Sequence, residues 1–218
     1  MDGGFENYGA DGVLQVSHNF FNYSLKAKGL FTTSADPYYF ALDLPVTAKH
    51  PLLAFRSDTV WVGVQSVVRN GDSYSYRIVT SGVGTFQWIL FDKIGSALSP
   101  SGNRYGRQIW GPDGTLAFDS GIPVMKIAGV IPAGLGLPPD YKLADIPEGE
   151  YAFMLTDSAV VGAPGSGGGN PILTLDGAKV SSNAVYRRRI QLPGGLVISP
   201  RPVAVEVLLI DVRNIPWG

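Results

Sequence analysis

Two histidines and a small set of aspartates are the residues of this sequence that could carry acid–base or metal chemistry. His18 and His50 have no other metal-type ligand at a recognised spacing, and we interpret both as structural or solvated residues. No G-x-S-x-G motif accompanies them, so the sequence offers no nucleophile elbow for a Ser-His-Asp arrangement. A carboxylate pair for glycoside hydrolysis would need strand-borne aspartates, and no spacing selects a pair among Asp43, Asp92, Asp157 and Asp211.

The other chemical signals are weak, and the sequence predicts no catalytic residue, no metal ligand and no cofactor. The chain contains no cysteine, which excludes disulfides, thiolate metal sites and cysteine catalysis. The segment APGSGGGNP, from Ala163 to Pro171, lacks the Gly-Lys-Ser/Thr ending of a phosphate-binding loop, and we predict a flexible surface loop there. We therefore expect a protein that is not an enzyme; a hydrolase with an aspartate pair is the weaker alternative.

The charge pattern argues against nucleic acid and for a protein partner. The formal net charge is −1, which gives no field to attract nucleic acid or an anionic membrane. Charged residues make up 16% of the chain, below the usual share of about 25%, and so uncharged a surface is often partly covered by a partner. In the one basic cluster, YRRRIQL, strand alternation separates Arg187 and Arg189 from Arg188, which favours cross-strand pairing or a polar interface contact.

Aromatic side chains are the most plentiful candidates for binding. Rigid rings bind sugars and proteins well because they offer a large contact area at a low entropic cost. The candidate binding aromatics are Tyr38, Tyr39, Trp61 and Trp88. The alternative, which we favour for the aromatic runs in the first forty residues, is that they form core strands.

The elements that must position these side chains are short strands. The chain contains 28 glycines and 16 prolines spread along its length, and both residue types are costly inside helices. Between them lie short β-branched and aromatic runs, which favour strands. We predict an all-β fold of antiparallel, sandwich-like modules with almost no helix. The most apolar run, from Val203 to Val212, is far shorter than the roughly 18 residues that a membrane helix needs and predicts a buried strand.

The clearest local pattern lies between Thr59 and Asp92. Three alternating segments predict a three-stranded antiparallel meander, and Asn70-Gly71 predicts a two-residue turn with positive φ at both positions. The last segment, TFQWILFD, carries apolar side chains on both faces, which predicts a strand that is covered on both sides.

A turn-rich phrase occurs twice, as YGADGVLQV from Tyr8 and as WGPDGTLAF from Trp110. Each copy predicts a β-hairpin whose turn is Asp11-Gly12 or Asp113-Gly114, and Asp176 before Gly177 is a further turn context.

The similarity continues beyond the phrase, since the pairs Lys26/Gly29 and Ala54-Phe55 match Lys126/Gly129 and Ala152-Phe153. It predicts an internal duplication, although β-chains rich in Asp-Gly turns can resemble one another by chance. The corresponding domains are residues 1–98 and 107–218 with a linker at 99–106; one composite domain is the alternative.

The phrases YGADGVLQVS and YGRQIWGPDGTLAFDSG (Tyr105 to Gly121) resemble small all-β structural proteins of tailed bacteriophages, such as minor tail, tail-tip or baseplate-associated proteins. The resemblance implies a virion tail component that assembles in the host cytoplasm with other tail proteins. It further implies a homo-oligomer, a trimer or another cyclic assembly, and it carries over no catalytic residues.

The N-terminal residues lack the pattern of a signal peptide, so we expect no secretion by that route. We also expect apolar strands such as VAVEVLLID (Val203 to Asp211) near subunit contacts. The alternative function is a receptor- or carbohydrate-binding module on the tail that contacts a host cell-surface glycan or protein.

Overall fold

The computed structural model describes residues 6–8, 14–17, 22–33, 40–94, 106–133, 140–156, 160–163, 172–181, 183–192 and 205–216. Within these ranges the chain forms seventeen strands and no helix. The prediction of an all-β, sandwich-like fold is therefore confirmed. No helix that is long and apolar enough to span a membrane occurs in the described part of the chain.

The strands fall into two successive groups along the chain. The first group is β1 (Glu6–Tyr8), β2 (Leu14–Ser17), β3 (Tyr23–Thr32), β4 (Phe40–Thr47), β5 (Leu52–Arg56), β6 (Val62–Asn70), β7 (Ser73–Thr80) and β8 (Thr85–Lys93). The second group is β9 (Gln108–Trp110), β10 (Leu116–Asp119), β11 (Lys126–Ala133), β12 (Asp140–Asp145), β13 (Tyr151–Leu155), β14 (Val160–Ala163), β15 (Ile172–Val180), β16 (Ala184–Gln191) and β17 (Val205–Asp211).

Two large antiparallel sheets form the sandwich. The first sheet has the order β11-β17-β13-β5-β8-β3, and the second has the order β12-β16-β15-β6-β7-β4 with β14 paired to β15. Hairpins β1-β2 and β9-β10 form two small sheets. The main core lies between the large sheets, where Phe55, Phe86 and Phe153 of the first sheet belong to one apolar cluster with Ile78 and Val185 of the second.

The strand order of each large sheet has an approximate twofold symmetry. Strands β3 to β8 of the first half can be matched, in chain order, with β11, β12, β13, β15, β16 and β17 of the second half. After this matching, the strand order of each large sheet is the same when it is read from either end. At the centre Phe55 pairs with Phe153 in the first sheet and Val62 pairs with Ala178 in the second. The matched Ala-Phe pairs of the sequence thus meet at the centre, as an internal duplication would produce.

Strands from both halves of the chain are joined in both sheets, and the main core contains side chains from both. The proposed linker lies almost entirely outside the described residues, and the division into two modules stays a prediction.

A second apolar cluster covers the outer face of the first sheet. It includes Ala54, Ile89, Phe91 and Ile210. On β8, Phe86 faces the main core while Ile89 and Phe91 face this outer cluster, so the predicted double coverage of this strand is confirmed.

Strand β17 is a buried central strand, as its composition predicts. Val207 is 1% exposed, Leu209 3% and Ile210 0%. The fold of a single chain already buries these side chains, and the expectation that this strand lies near subunit contacts stays a prediction.

The predicted three-stranded meander is wrong at its third strand. Strands β6 and β7 form the expected hairpin, but β8 pairs with β5 and β3 in the first sheet. The segment 81–84 therefore crosses from one sheet to the other. The alternation of a strand reports which faces are buried, not which neighbour supplies its hydrogen bonds, so local pattern could not distinguish a hairpin from this crossing.

The turn between β6 and β7 differs by one position from its prediction. Asn70 pairs with Ser73, so the turn residues are Gly71 and Asp72. Gly71 has a φ of 62°, and no non-glycine residue of the described chain has a positive φ. A positive φ at the first turn position alone is typical of a type II′ turn, which also fits the right-handed twist of the strands.

The second copy of the repeated phrase forms a hairpin in which Trp110 pairs with Leu116. Gly114 has a φ of 75°, and Asp113 Oδ1 accepts hydrogen bonds from the Thr115 backbone N–H (3.0 Å) and hydroxyl (2.7 Å). The hydroxyl bond, followed by the backbone bond, holds the pKa of the Asp113 carboxyl below its usual value. Asp11 and Gly12, the corresponding residues of the first copy, lie outside the described residues.

Candidate binding surfaces

A groove of about 910 Å³ crosses one end of the sandwich, and both halves of the chain line it. The first half supplies Leu30 and the segments 56–59 and 83–87, and the second supplies the segment 149–151 with Val180 and Ser181. These segments meet because β5 ends, and β8 and β13 begin, at this end of the first sheet.

Polar groups from three strand ends line part of this groove. Leu30, Gln87 and Arg56 are cross-strand neighbours on β3, β8 and β5. Arg56 Nη1 donates to Glu150 Oε2 at 2.9 Å, and both side chains remain partly exposed. Gln87 Oε1 is buried and has no hydrogen-bond partner among the described residues. The arrangement offers an ion pair and a buried acceptor beside the exposed side chain of Leu30.

The buried Ser57 hydroxyl in this groove is not poised for nucleophilic chemistry. Ser57 Oγ donates to the Val60 carbonyl at 2.6 Å and accepts from the Val60 N–H at 3.1 Å, so it holds the loop between β5 and β6 in shape.

Trp61 lies directly before β6 on the outer face of the second sheet, among cationic side chains. Lys179 Nζ is 3.9 Å and Arg188 Cζ is 4.7 Å from the centroid of the Trp61 ring, and Lys179 Nζ is 5.5 Å from that of Tyr186. We call these four residues the Trp61 patch. Trp61 Nε1 is buried and has no hydrogen-bond partner in the described part of the chain, where the two cations contact the ring.

The other aromatic candidates have different positions. Trp88 lies on the inner face of the first sheet opposite Gly29, where a Cβ atom would come within 2.7 Å of Trp88 Nε1. Its ring packs against the main core and fills the place of the missing Gly29 side chain, so it is not an open platform. Tyr38 and Tyr39 lie outside the described residues.

The aspartates considered for hydrolysis are engaged in separate contacts. Asp43 pairs with Arg77 at 2.8 Å on the second sheet, and Asp211 pairs with Arg213. The Arg213 side chain lowers the pKa of the Asp211 carboxyl against the opposing effect of burial. Asp157 lies outside the described residues, as does His18. In the described part of the chain no three His, Cys, Asp or Glu side chains are grouped as a metal site would require.

Asp92 is a buried structural anchor. Its carboxylate accepts hydrogen bonds from the backbone N–H groups of Lys49 (3.0 Å), His50 (2.8 Å) and Lys93 (2.9 Å) and from Lys26 Nζ (3.3 Å). Burial acts to raise the pKa of Asp92, but these donors, led by the His50 N–H, outweigh it and the pKa is lowered. The carboxylate thus fastens the turn between β4 and β5 to β8 and β3.

The pKa of Tyr76, in the main core, is shifted in the opposite direction to that of Asp92. Burial, followed by the nearby Tyr74 and then the charge of Asp92, raises the pKa of Tyr76 to about 12.

The sequence did not reveal a buried ion pair in the second sheet. Arg187 donates from Nε to Asp176 Oδ1 at 3.0 Å and from Nη2 to Asp176 Oδ2 at 2.6 Å, and the two side chains are 7% and 2% exposed. Asp176 lies inside β15, so its interpretation as a turn residue is wrong, while the cross-strand pairing predicted for the arginine cluster is confirmed for Arg187. The available signal was that Asp176 and Arg187 each lie two residues from a main-core position, Ala178 and Val185 respectively, and therefore share the inner face of the sheet.

Comparisons of the chain with protein-family models, with curated proteins and with solved structures found no match.

Proposed function

We propose that this chain is a non-enzymatic structural or adaptor subunit of a bacteriophage tail tip or baseplate, which assembles in the host cytoplasm with other tail proteins and with copies of itself. The resemblance of the two hairpin phrases to phage tail proteins supports the proposal. The candidate aspartates support it as well, because each one described is committed to a structural contact.

The proposal of self-assembly depends on the exposed apolar side chains of β11 and β3, the two outer strands of the first sheet. At one end β11 pairs only with β17 in the described part of the chain, and its Ile127 and Val130 are 53% and 54% exposed. At the other end β3 carries Leu30, which is 67% exposed; the first residues of β3, from Tyr23 to Leu25, already bond to residues 123–125 of the same chain. The remaining length of an outer strand presents backbone N–H and C=O groups that can pair with another chain.

The two ends of the sheet suggest how copies would join. Pairing of β11 of one copy with β3 of the next repeats the same contact around the assembly, and such a head-to-tail contact closes into a ring when the rotation permits. The apolar side chains exposed on both strands would be covered in that contact.

Light scattering of the purified chain over a tenfold concentration range tests this proposal. We expect a discrete oligomer that persists on dilution and that Val130→Glu converts to smaller species, because a carboxylate would be buried in the contact. Val68→Glu is the matched control: Val68 is 64% exposed but lies on β6 of the second sheet. A monomer at every concentration, or equal effects of both substitutions, would contradict pairing through β11.

A further inference from the structure

We propose that Asn70, at the tip of the β6-β7 hairpin, is a site of spontaneous deamidation. The site is independent of the subunit role proposed above, because the proposed subunit contact lies on the first sheet and this hairpin belongs to the second. Asparagine is chemically labile, and most so before glycine, whose missing Cβ leaves the backbone nitrogen accessible.

The reaction needs only the chain itself and water. The backbone nitrogen of Gly71 bonds to Cγ of Asn70 while the bond from Cγ to Nδ2 breaks, and Nδ2 leaves as ammonia with the proton of the Gly71 N–H. Water then opens the resulting cyclic imide at one of its two carbonyl carbons, which gives either aspartate or isoaspartate. The net change consumes one water molecule and releases one ammonia.

The tip of the hairpin is open to solvent. All residues of β6 from Ser66 to Asn70 are exposed. A Cβ atom added at Gly71 would have no atom of the described residues within 4 Å. The Asn70 side chain takes part in no hydrogen bond or ion pair with the described residues, which leaves its amide free to turn toward the backbone.

The attack requires a local opening of the turn. A strand residue has a ψ of about +135°, which turns the next nitrogen away from its own side chain, so the Cα–C bond of Asn70 must rotate first. At this end Asn70 pairs with Ser73 of β7, whereas the described pairing of β6 with β15 is at Val62. An exposed hairpin end with few buried apolar contacts opens at a small free-energy cost. The rotation therefore leaves the main core in place.

The other two Asx-Gly pairs in the described ranges are protected by their contacts. Asp113 Oδ1 accepts hydrogen bonds from the Thr115 N–H and hydroxyl, and the lowered pKa of Asp113 keeps it an ionised carboxylate, which is a poor electrophile. Asp176 is 2% exposed, and both its oxygens accept hydrogen bonds from Arg187. The fold thus leaves Asn70 as the reactive one of the three.

Both products change the turn. Each adds a negative charge close to Asp72, which pairs with Lys49, and takes the formal net charge of the chain from −1 to −2. Isoaspartate also adds a methylene group to the main chain directly before the two-residue turn, and this shifts the pairing of residue 70 with Ser73. Conversion should therefore loosen the end of the hairpin and leave the sandwich intact.

Incubation of the full chain at neutral and at mildly alkaline pH, followed by peptide mapping with mass spectrometry, tests the site. We expect the peptide that contains Asn70 to gain the mass difference between an amide and a carboxyl group and to separate into two products. The rate should rise with pH, because loss of the Gly71 N–H proton creates the nucleophile. The folded chain should react within about tenfold of the rate in urea, which corresponds to an added barrier of at most about 1.4 kcal/mol for opening the turn.

Two asparagines of the same chain are internal controls. Asn183 and Asn214 are also exposed and lie outside strands, but they precede Ala184 and Ile215, whose side chains hinder the approach of the nitrogen. Each should convert at least about tenfold more slowly than Asn70. Asn70→Gln is the matched variant, because it keeps the amide but would have to close a larger ring, and it should remove the reaction at this position.

Three results would overturn the proposal. If Asn70 stays unchanged in the folded chain while it converts in urea, the turn holds the side chain and the nitrogen apart. Equal rates at Asn183 or Asn214 would show that exposure alone, not the Asn-Gly pair in this hairpin, sets the reactivity. An equal mass gain in the same peptide of Asn70→Gln would place the reaction at another residue.

Discussion

Replacement of Asp92 by asparagine should destabilise the fold far more than the loss of one surface charge would. The Asp92 carboxylate is completely buried and accepts hydrogen bonds from three backbone N–H groups, of Lys49, His50 and Lys93, and from the ammonium of Lys26. Asparagine keeps one oxygen and turns an N–H₂ group toward groups that are themselves donors. With hydrogen bonds to a charge at about 1.5–3 kcal/mol and unsatisfied buried groups at about 1–3 kcal/mol each, we expect a loss of about 3–5 kcal/mol of unfolding free energy.

The same contacts give this effect a defined pH dependence. The pKa of Asp92 is lower in the folded chain than its usual value near 3.9. A carboxyl whose folded pKa is depressed contributes stability that is fully present above its unfolded pKa and is lost as the pH falls through the folded pKa. The difference between the parent chain and Asp92→Asn should thus be largest above about pH 5 and should shrink below about pH 4.

Urea unfolding at several pH values measures both quantities. Asp43→Asn is the matched control, because the ion pair of Asp43 with Arg77 is exposed and should contribute less than about 1 kcal/mol. A loss for Asp92→Asn no larger than that of the control, or a difference independent of pH between 3 and 6, would refute the reasoning about the buried carboxylate.

Three further substitutions test other parts of the fold by thermal or urea unfolding. Gly114→Ala should cost about 1–2 kcal/mol because φ is 75° there, although no atom of the described residues lies within 4 Å of an added Cβ. Gly82→Ala, with similar space and no positive φ, should cost much less, and equal losses would contradict the turn assignment. Arg187→Ala should cost about 3–5 kcal/mol because it leaves the Asp176 carboxylate buried and unpaired, and a loss under about 1 kcal/mol would show that the pair is solvated. Phe153→Ala should cost about 3–5 kcal/mol at the centre of the main core, and a neutral result would mean that the two halves do not share that core.

Local features of the sequence were predictable because they depend on residues close together in the chain. The β6-β7 hairpin follows from alternation on both sides of a glycine turn, and the positive φ of Gly114 follows from an Asp-Gly pair before a strand. The double coverage of β8 was readable for the same reason, since its apolar residues occupy both faces.

The candidate binding surfaces were only partly predictable. Trp61 could be selected as an aromatic near a strand, but nothing near it in the sequence predicts Lys179 or Arg188 as its neighbours. The groove likewise combines Arg56 with Glu150, which approach only where β5 meets β13. Both surfaces depend on the register between distant strands, and period-2 patterning fixes the faces of a strand without fixing its partner.

By itself the sequence determined that this protein is all-β, that β6 and β7 form a hairpin and that β8 is buried on both faces. Frequent glycine and proline exclude long helices, and alternation reports burial directly. Only the tertiary structure decided that β8 joins the first sheet, that Arg187 neutralises Asp176, and that Asp92 is anchored by donors from β3, β8 and the turn after β4. The physical reason is that side-chain burial is set mainly by local composition, whereas pairing between strands depends on the free energy of the whole sandwich, in which the cores and buried polar contacts must be satisfied together.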